Sequence, residues 1–286
     1  MNLRKSLVVG AALALSFSLA ACGNDSSTPG GDSSGSAQGR IAIGVKIDQP
    51  GTSLKVGNDL VGFDADVARY VAQELGYSAS QIDFKESVSS QRESMIEGGQ
   101  VDLVVGTYSI TDARKERVSF AGPYLIAGQD LLVRSDNTDI TGPESLKDKK
   151  LCSVTGSTSA IKIKEKYKDE FNIDLVEMDS YSKCVQALAG AGGQVDAVTT
   201  DDAILAGFAA QSQYSGKLRV VGNTFSEEKY GIGLKKGDVA LCESVNAAIA
   251  KMIDSGEWKK SIDAHFGPAG YVVDASVNPP AQATCS

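Results

Sequence analysis

The polar chemistry of this chain is concentrated in a few short runs. In Gly106-Thr107-Tyr108-Ser109-Ile110-Thr111-Asp112-Ala113-Arg114, small hydroxyl residues follow what reads as a strand end opening into a helix start. Arg114 then brings a guanidinium that can fork onto a carboxylate through two parallel charge-assisted bonds. The plainer reading of the same run is that Thr111 or Asp112 caps a helix and Arg114 is a solvated surface charge. A second run, Thr155-Gly156-Ser157-Thr158-Ser159, again sets a glycine and small hydroxyls at a helix start, where backbone donors suit the same anion. It lacks the Gly-Lys-Ser/Thr ending of a phosphate loop, so nucleotide hydrolysis has no support. A third run, Thr199-Thr200-Asp201-Asp202, supplies carboxylates. His265 is the sole histidine and no cysteine pair has zinc-ligand spacing. Neither a metal site nor a Cys/His nucleophile is expected, and no cofactor is implied.

The elements that must position these runs are announced by an internal repeat. Gly98-Gly99-Gln100-Val101-Asp102-Leu103-Val104 recurs as Gly192-Gly193-Gln194-Val195-Asp196-Ala197-Val198, each copy following a helix and opening a strand. Two lobes of similar topology are therefore expected. In open parallel sheets ligands sit beyond the carboxyl ends of the strands. The first copy delivers Thr107, Ser109 and Arg114 there, and the second delivers Thr199, Thr200, Asp201 and Asp202. Facing one another, the two would line a cleft with a guanidinium at one end and a carboxylate at the other.

The remaining pattern alternates strand and helix. Ile41–Val45 reads as a buried strand ending at Lys46, and Lys46-Ile47-Asp48-Gln49-Pro50-Gly51 as a loop turned by Pro-Gly. Val67, Val71 and Leu75 with Ala68 and Ala72 form the apolar face of a helix stopped by Gly76. A strand around Ile82–Phe84 precedes Ser90-Gln91-Arg92-Glu93, which reads as a capping box opening a helix to Glu97, and Val101–Val105 reads as the next strand. From Gly128, strands at Gln129–Val133, Leu151–Val154 and Lys217–Val221 and helices at Ala160–Lys168 and Tyr181–Leu188 make a second lobe. Tyr230-Gly231-Ile232-Gly233-Leu234 returns the chain to the first lobe through glycines suited to a hinge. Helices at Val239–Ile253 and Glu257–His265, whose Trp258 and His265 read as packing or surface residues, close the structure. The expected architecture is α/β with mixed, mainly parallel sheets and two crossing strands as hinge. Residues 40–127 with 229–286 are assigned to one lobe and 128–228 to the other.

A chain of 286 residues with 42% hydrophobic content can bury two medium cores. Its formal charge of -8 and pI of about 4.8 argue against nucleic acid or an anionic membrane surface as partner. Arg4-Lys5 followed by the apolar run Leu7 to Leu19 reads as a signal segment over residues 1–21, too short to span a membrane. Leu19-Ala20-Ala21-Cys22 is similar to a lipobox, with Cys22 as the lipidated residue; an ordinary signal peptide with an incidental cysteine is the alternative. Residues 22–39, rich in Gly, Ser, Asp and Pro, read as a flexible tether. In an exported chain the other four cysteines, which allow three connectivities, point to Cys152–Cys184 and Cys242–Cys285. Each pair lies in one contiguous segment, so neither would lock one lobe to the other.

Gly62-Phe63-Asp64-Ala65-Asp66-Val67, the Thr107 to Arg114 stretch, Phe120-Ala121-Gly122-Pro123-Tyr124, Asp196 to Asp201 and Tyr230-Gly231-Ile232-Gly233-Leu234-Lys235-Lys236-Gly237 together resemble family 3 extracellular solute-binding proteins of polar amino acid ABC transporters. The resemblance runs from about Ile41 to Gly267. The stretches Lys46–Gly51, Phe120–Asp130 and Thr199–Gly207 look closer still to glutamate-binding lipoproteins of actinobacterial importers. Ala65, where the family signature usually has a larger aliphatic residue, is a departure expected to trim helix packing only. The resemblance implies a two-lobed type II periplasmic-binding-protein fold. It also implies that Arg114 clamps a ligand α-carboxylate with Ser109 and the Thr158 backbone, and that Asp201 takes the α-ammonium with the Thr107 backbone. By the same resemblance Phe63 lines the slot, and Lys46 with Gln49 meets the ligand side chain. Lys46 offers donors and positive charge, which favours L-glutamate over glutamine, aspartate or asparagine. The implied partners are the ligand, ABC permease subunits and the membrane through the lipid anchor only, with no nucleic acid and a monomeric chain. Two other readings are a sensor for a membrane signalling protein and an exported dehydratase of the same fold; against the latter, the site offers no spare general acid.

Overall fold

The computed structural model describes residues 39–190 and 192–285. Cys22, the expected signal segment and the tether up to residue 38 lie outside the described residues. In chain order the first lobe contains β1 (Ile41–Val45), the short strands β2 (Asp48–Gln49), β3 (Ser53–Val56) and β4 (Asp59–Val61), and helix α1 (Phe63–Glu74). It continues with β5 (Ile82–Glu86), α2 (Arg92–Glu97), β6 (Leu103–Val104), α3 (Asp112–Lys115) and β7 (Ser119–Ala127). After Gly128 come β8 (Gln129–Arg134), β9 (Lys150–Val154), α4 (Thr158–Lys162), β10 (Asp174–Met178), α5 (Tyr181–Ala189), β11 (Ala197–Asp201), α6 (Asp202–Ala209) and β12 (Leu218–Val220). The chain then returns through β13 (Glu228–Leu234), α7 (Val239–Asp254) and α8 (Glu257–Phe266).

Two five-stranded sheets carry the lobes, ordered β5-β1-β6-β13-β7 and β10-β9-β11-β8-β12. In each, the first three strands run parallel and the last two add antiparallel. The repeated Gly-Gly-Gln-Val-Asp run enters the third strand of both orders. Its aspartate does the same work twice: Asp102 accepts the Ala42 N–H at 2.8 Å and Asp196 accepts the Lys150 N–H at 2.8 Å. Each carboxylate thus pins the start of its strand to the start of the neighbouring one. The repeat is a structural staple, and the polar residues beyond it inherit equivalent positions.

Local chemistry accounts for most boundaries. Val67, Ala68, Val71 and Ala72 are wholly buried on α1, which packs with α7 and α8 against the first sheet. Burying a Val or Leu side chain contributes about 1.5–3 kcal/mol, so a charge at Val71 would unseat the helix. Three expectations need correction. The helix after Ser90 begins at Arg92 with Gln91 as N-cap and no side-chain cap, because the Arg92 side chain turns into the protein. The strand read as Val101–Val105 joins the ladder only at Leu103–Val104. The helix expected from Ala160 starts earlier, at Thr158, because Ser157 Oγ accepts the Ala160 N–H at 3.0 Å, and it widens into a π turn over Ile163–Tyr167.

Cys152 is bonded to Cys184, joining β9 to α5 within the second lobe, and Cys242 on α7 is bonded to Cys285. The Cα–Cα separations are 5.5 and 5.9 Å, so both expected pairs form and neither spans the lobes. β7 and β13 lie side by side, antiparallel, with a bulge between Tyr230 and Ile232, and feed the two passages between sheets.

Candidate functional site

The end of β6 is built around a strained residue. Thr107 has φ of 46°, a left-handed conformation uncommon for a β-branched side chain. Its backbone is held from both sides: Thr107 N–H donates to Asp64 Oδ2 at 2.7 Å, and Arg92 Nη1 donates to the carbonyls of Gly106 at 3.1 Å and Thr107 at 3.4 Å. Asp64, fully buried at the start of α1, also accepts the Tyr124 hydroxyl at 2.8 Å. Burial pushes its carboxyl up to about 7, against the pull of those two donors. Gln49 Oε1 accepts the hydroxyls of Thr107 at 3.3 Å and Thr52 at 3.1 Å. Lys46 Nζ donates to Ser89 Oγ at 2.9 Å. Burial, with the Arg92 charge beside it, lowers the Lys46 ammonium to about 7.

Arg114 is buried rather than solvated, although Thr111 Oγ1 does cap its helix by accepting the Arg114 N–H at 3.2 Å. Nη1 donates to Ser109 O at 2.7 Å, Nη2 to Gly156 O of the second lobe at 3.0 Å, and Nε lies 3.2 Å from Glu93 Oε1. That occupies three of five guanidinium N–H groups and leaves one on each terminal nitrogen. Both guanidinium groups lie over the Tyr108 ring, with Arg92 Cζ 4.3 Å and Arg114 Cζ 5.0 Å from its centroid. Ser109 Oγ meets Thr158 Oγ1 at 3.3 Å across the lobes, and Ser109 bridges to Tyr230 on the returning strand.

The opposing carboxylate is Asp201, at the end of β11. Tyr230 OH donates to its Oδ2 at 2.6 Å, while Oδ1 is buried without a hydrogen-bond partner among the described residues. Burial, with Glu228 close by, holds the Asp201 carboxyl well above the ordinary carboxylate range. Glu228 is itself buried, yet Lys162 Nζ of the second lobe and the hydroxyls of Ser109 and Ser226 bring its carboxyl below the usual value.

Of the eight residues expected at the site, the structure brings seven together between the lobes: Lys46, Gln49, Thr107, Ser109, Arg114, Thr158 and Asp201. Phe63 is the exception. Its ring is fully buried inside the first lobe, 6.0 Å from Tyr124, 5.9 Å from Trp258 and 5.8 Å from Phe266, and it belongs to an aromatic core rather than a slot. Sequence reasoning passed over Arg92, Glu93, Asp64, Glu228 and the Tyr230 hydroxyl. Arg92 did carry a signal, since it shares the i, i+3, i+4 inward face of α2 with Met95 and Ile96.

The model of the family described as bacterial extracellular solute-binding proteins, family 3, matches residues 41–268. The chain belongs to that family. It is 41% identical over 284 residues to the glutamate-binding protein GluB of Corynebacterium glutamicum, covering 95% of this chain and 93% of that protein. It is 36% identical over 222 residues to the ABC transporter glutamine-binding protein GlnH of Bacillus subtilis, covering 77% and 78%. Among solved structures it resembles an ancestral arginine-binding protein bound to arginine, with a TM-score of 0.74, 34% identity and coverage of 80% and 99%. The family accounts for the paired lobes, and its two-lobed type II fold is the one described above.

Proposed function

We propose that this solute-binding protein captures L-glutamate between its lobes and delivers it to an ABC importer, standing outside the cytoplasmic membrane on a lipid attached to Cys22. The membrane is touched through that anchor only, the working unit is a monomer, and the chain acts by binding rather than catalysis.

One observation carries the choice of ligand class. Three buried cations, Lys46, Arg92 and Arg114, crowd one side of the interlobe network, and a buried carboxylate with an unpartnered oxygen, Asp201, closes the other. Buried charges persist when they are paired, so this set is complementary to a small molecule carrying an ammonium and two carboxylates. In this reading Arg114 uses its two remaining N–H groups for the α-carboxylate, with Ser109 and the Thr158 backbone beside it. Asp201 Oδ1 takes the α-ammonium with the Thr107 carbonyl, and Lys46, Arg92 and Gln49 face the side chain. Kinship to a glutamate-binding protein and a glutamine-binding protein leaves acid against amide as the open choice, and an excess of donors and positive charge favours the acid.

Calorimetry with glutamate, glutamine, aspartate and asparagine tests this directly. Glutamate is expected to bind best, and Lys46→Ala should weaken glutamate far more than glutamine. Tighter binding of glutamine by the wild type, or equal losses for both ligands in the variant, would remove the basis for the acid assignment.

A further inference from the structure

Away from Arg114 and Asp201, the lobes meet a second time at the loop that follows β1. Asp48 Oδ2 accepts the Ser182 N–H at 3.2 Å and the Ser182 hydroxyl at 2.9 Å, and that hydroxyl also lies 3.1 Å from the Asp48 carbonyl. Ser182 is in the first turn of α5, where backbone N–H groups have no partner inside the helix. The hydroxyl of Ser180, the N-cap of α5, accepts the Lys183 N–H at 3.4 Å, and its carbonyl accepts the Cys184 N–H at 3.4 Å. A carboxylate from the other lobe thus supplies the missing acceptor, at the end of the helix dipole where negative charge is favoured.

The loop that carries Asp48 is stiff. Lys55 N–H donates to Ile47 O at 2.9 Å, Thr52 Oγ1 holds Gln49 Oε1, and Phe63 N–H donates to Gly51 O at 3.0 Å. Two residues past Asp48 the same loop touches α6: a Cβ on Gly207 would stand 1.9 Å from the Pro50 carbonyl oxygen. Through Asp48 and Pro50 this first-lobe segment thus touches two helices of the opposite lobe, α5 and α6.

We propose that Asp48 is a closing latch, a first-lobe carboxylate that completes the capping of a second-lobe helix and so sets how long the shut form lasts. It adjoins Lys46 and Gln49 but plays a different part, since they face the captured side chain whereas Asp48 faces Ser182. A contact present in one state alone shifts the open–shut balance by its full strength, whereas contacts present in both shift nothing. Losing a hydrogen-bonded charge of this kind should weaken every ligand by a similar factor, about ten- to a hundredfold, mainly through faster release.

The affinity readout rests on the capture reading above; a second readout does not. Asp48→Ala, Ser182→Ala and the double variant are titrated with glutamate and glutamine, and dissociation is followed by stopped flow. Expected are parallel losses for both ligands, a raised dissociation rate, and a double variant no weaker than Asp48→Ala alone. Hydrogen exchange at the Ser182 amide of the purified protein should be slowed in the wild type and fast in Asp48→Ala. Wild type that binds neither amino acid overturns the capture reading and leaves the exchange comparison to decide the latch. Additive losses in the double variant, or equal exchange at Ser182 in the two proteins, overturn the latch itself.

Discussion

Asp201 joins near-complete burial to a carboxylate oxygen that has no hydrogen-bond partner among the described residues. Its carboxyl is raised, first by burial and then by Glu228, so the folded state holds a proton that the unfolded state releases. A group raised in this way contributes stability that is fully present below the ordinary carboxylate value and is lost steadily as pH climbs from there to the raised value of about 8. Asp201→Asn keeps the shape and removes the titration. The ligand-free variant should therefore melt above the wild type by a margin that is larger at pH 8 than at pH 5, while binding amino acids at least about a hundredfold more weakly. Thermal scans at the two pH values check this; a variant less stable than wild type at pH 8 would mean that Asp201 is held for the fold. At this scale the sequence was legible where a motif joined residue type to position, as at Thr107, Ser109 and Arg114. It was silent on partners that arrive from distant elements, such as Glu93 and Gly156 on Arg114 or Tyr230 on Asp201. Phe63 was misassigned because an aromatic residue at a helix start reads the same whether its ring points to a cleft or into a core.

Elements were legible where hydrophobic period and capping chemistry agreed. The α1 face and the parallel strands β1, β5 and β9 are set by local patterns that burial then satisfies. The antiparallel partners β8 and β13 were read as strands, but their direction depends on the fold of the whole lobe. The departure at Ser90–Glu93 has the same origin: a capping-box pattern yields when the helix must open on an arginine needed inside, on Gly106 O and Thr107 O. Cysteine arithmetic succeeded because each pair lies within one stretch of chain. The bridges close loops with sequence separations of 32 and 43, for which the chain-entropy account gives about 4 kcal/mol apiece. Because one lies in each lobe, their effects should be independent. Replacing Cys152 and Cys184 by Ser, Cys242 and Cys285 by Ser, and all four together should give losses in denaturant midpoints that add. A four-cysteine variant much more stable than the sum predicts would show that the two bridges restrain the same unfolded chain.

At the scale of the molecule, the acidic balance disfavours adsorption to an anionic membrane surface. The net charge is -8, which repels anionic lipid, and among the described residues no helix is long and apolar enough to cross a bilayer. In the proposed role of feeding an importer, a binding protein gains from staying beside it, because tethering replaces a search in three dimensions by a high effective concentration. In the proposed reading the means is Cys22, the last residue of Leu19-Ala20-Ala21-Cys22 and the first of a stretch rich in Gly, Ser and Asp. A single acyl chain gives only marginal, reversible membrane binding, whereas stable anchoring takes two signals, which a diacylglycerol thioether provides. Cys22→Ala should accordingly shift the protein from the membrane fraction to the medium, or leave it unprocessed, without changing glutamate affinity measured on the released domain. Intact mass of the wild-type protein from membranes should exceed that of the chain beginning at Cys22 by the mass of its lipid. A wild-type protein found free of lipid would show that the cysteine is incidental and that this binding protein works by diffusion.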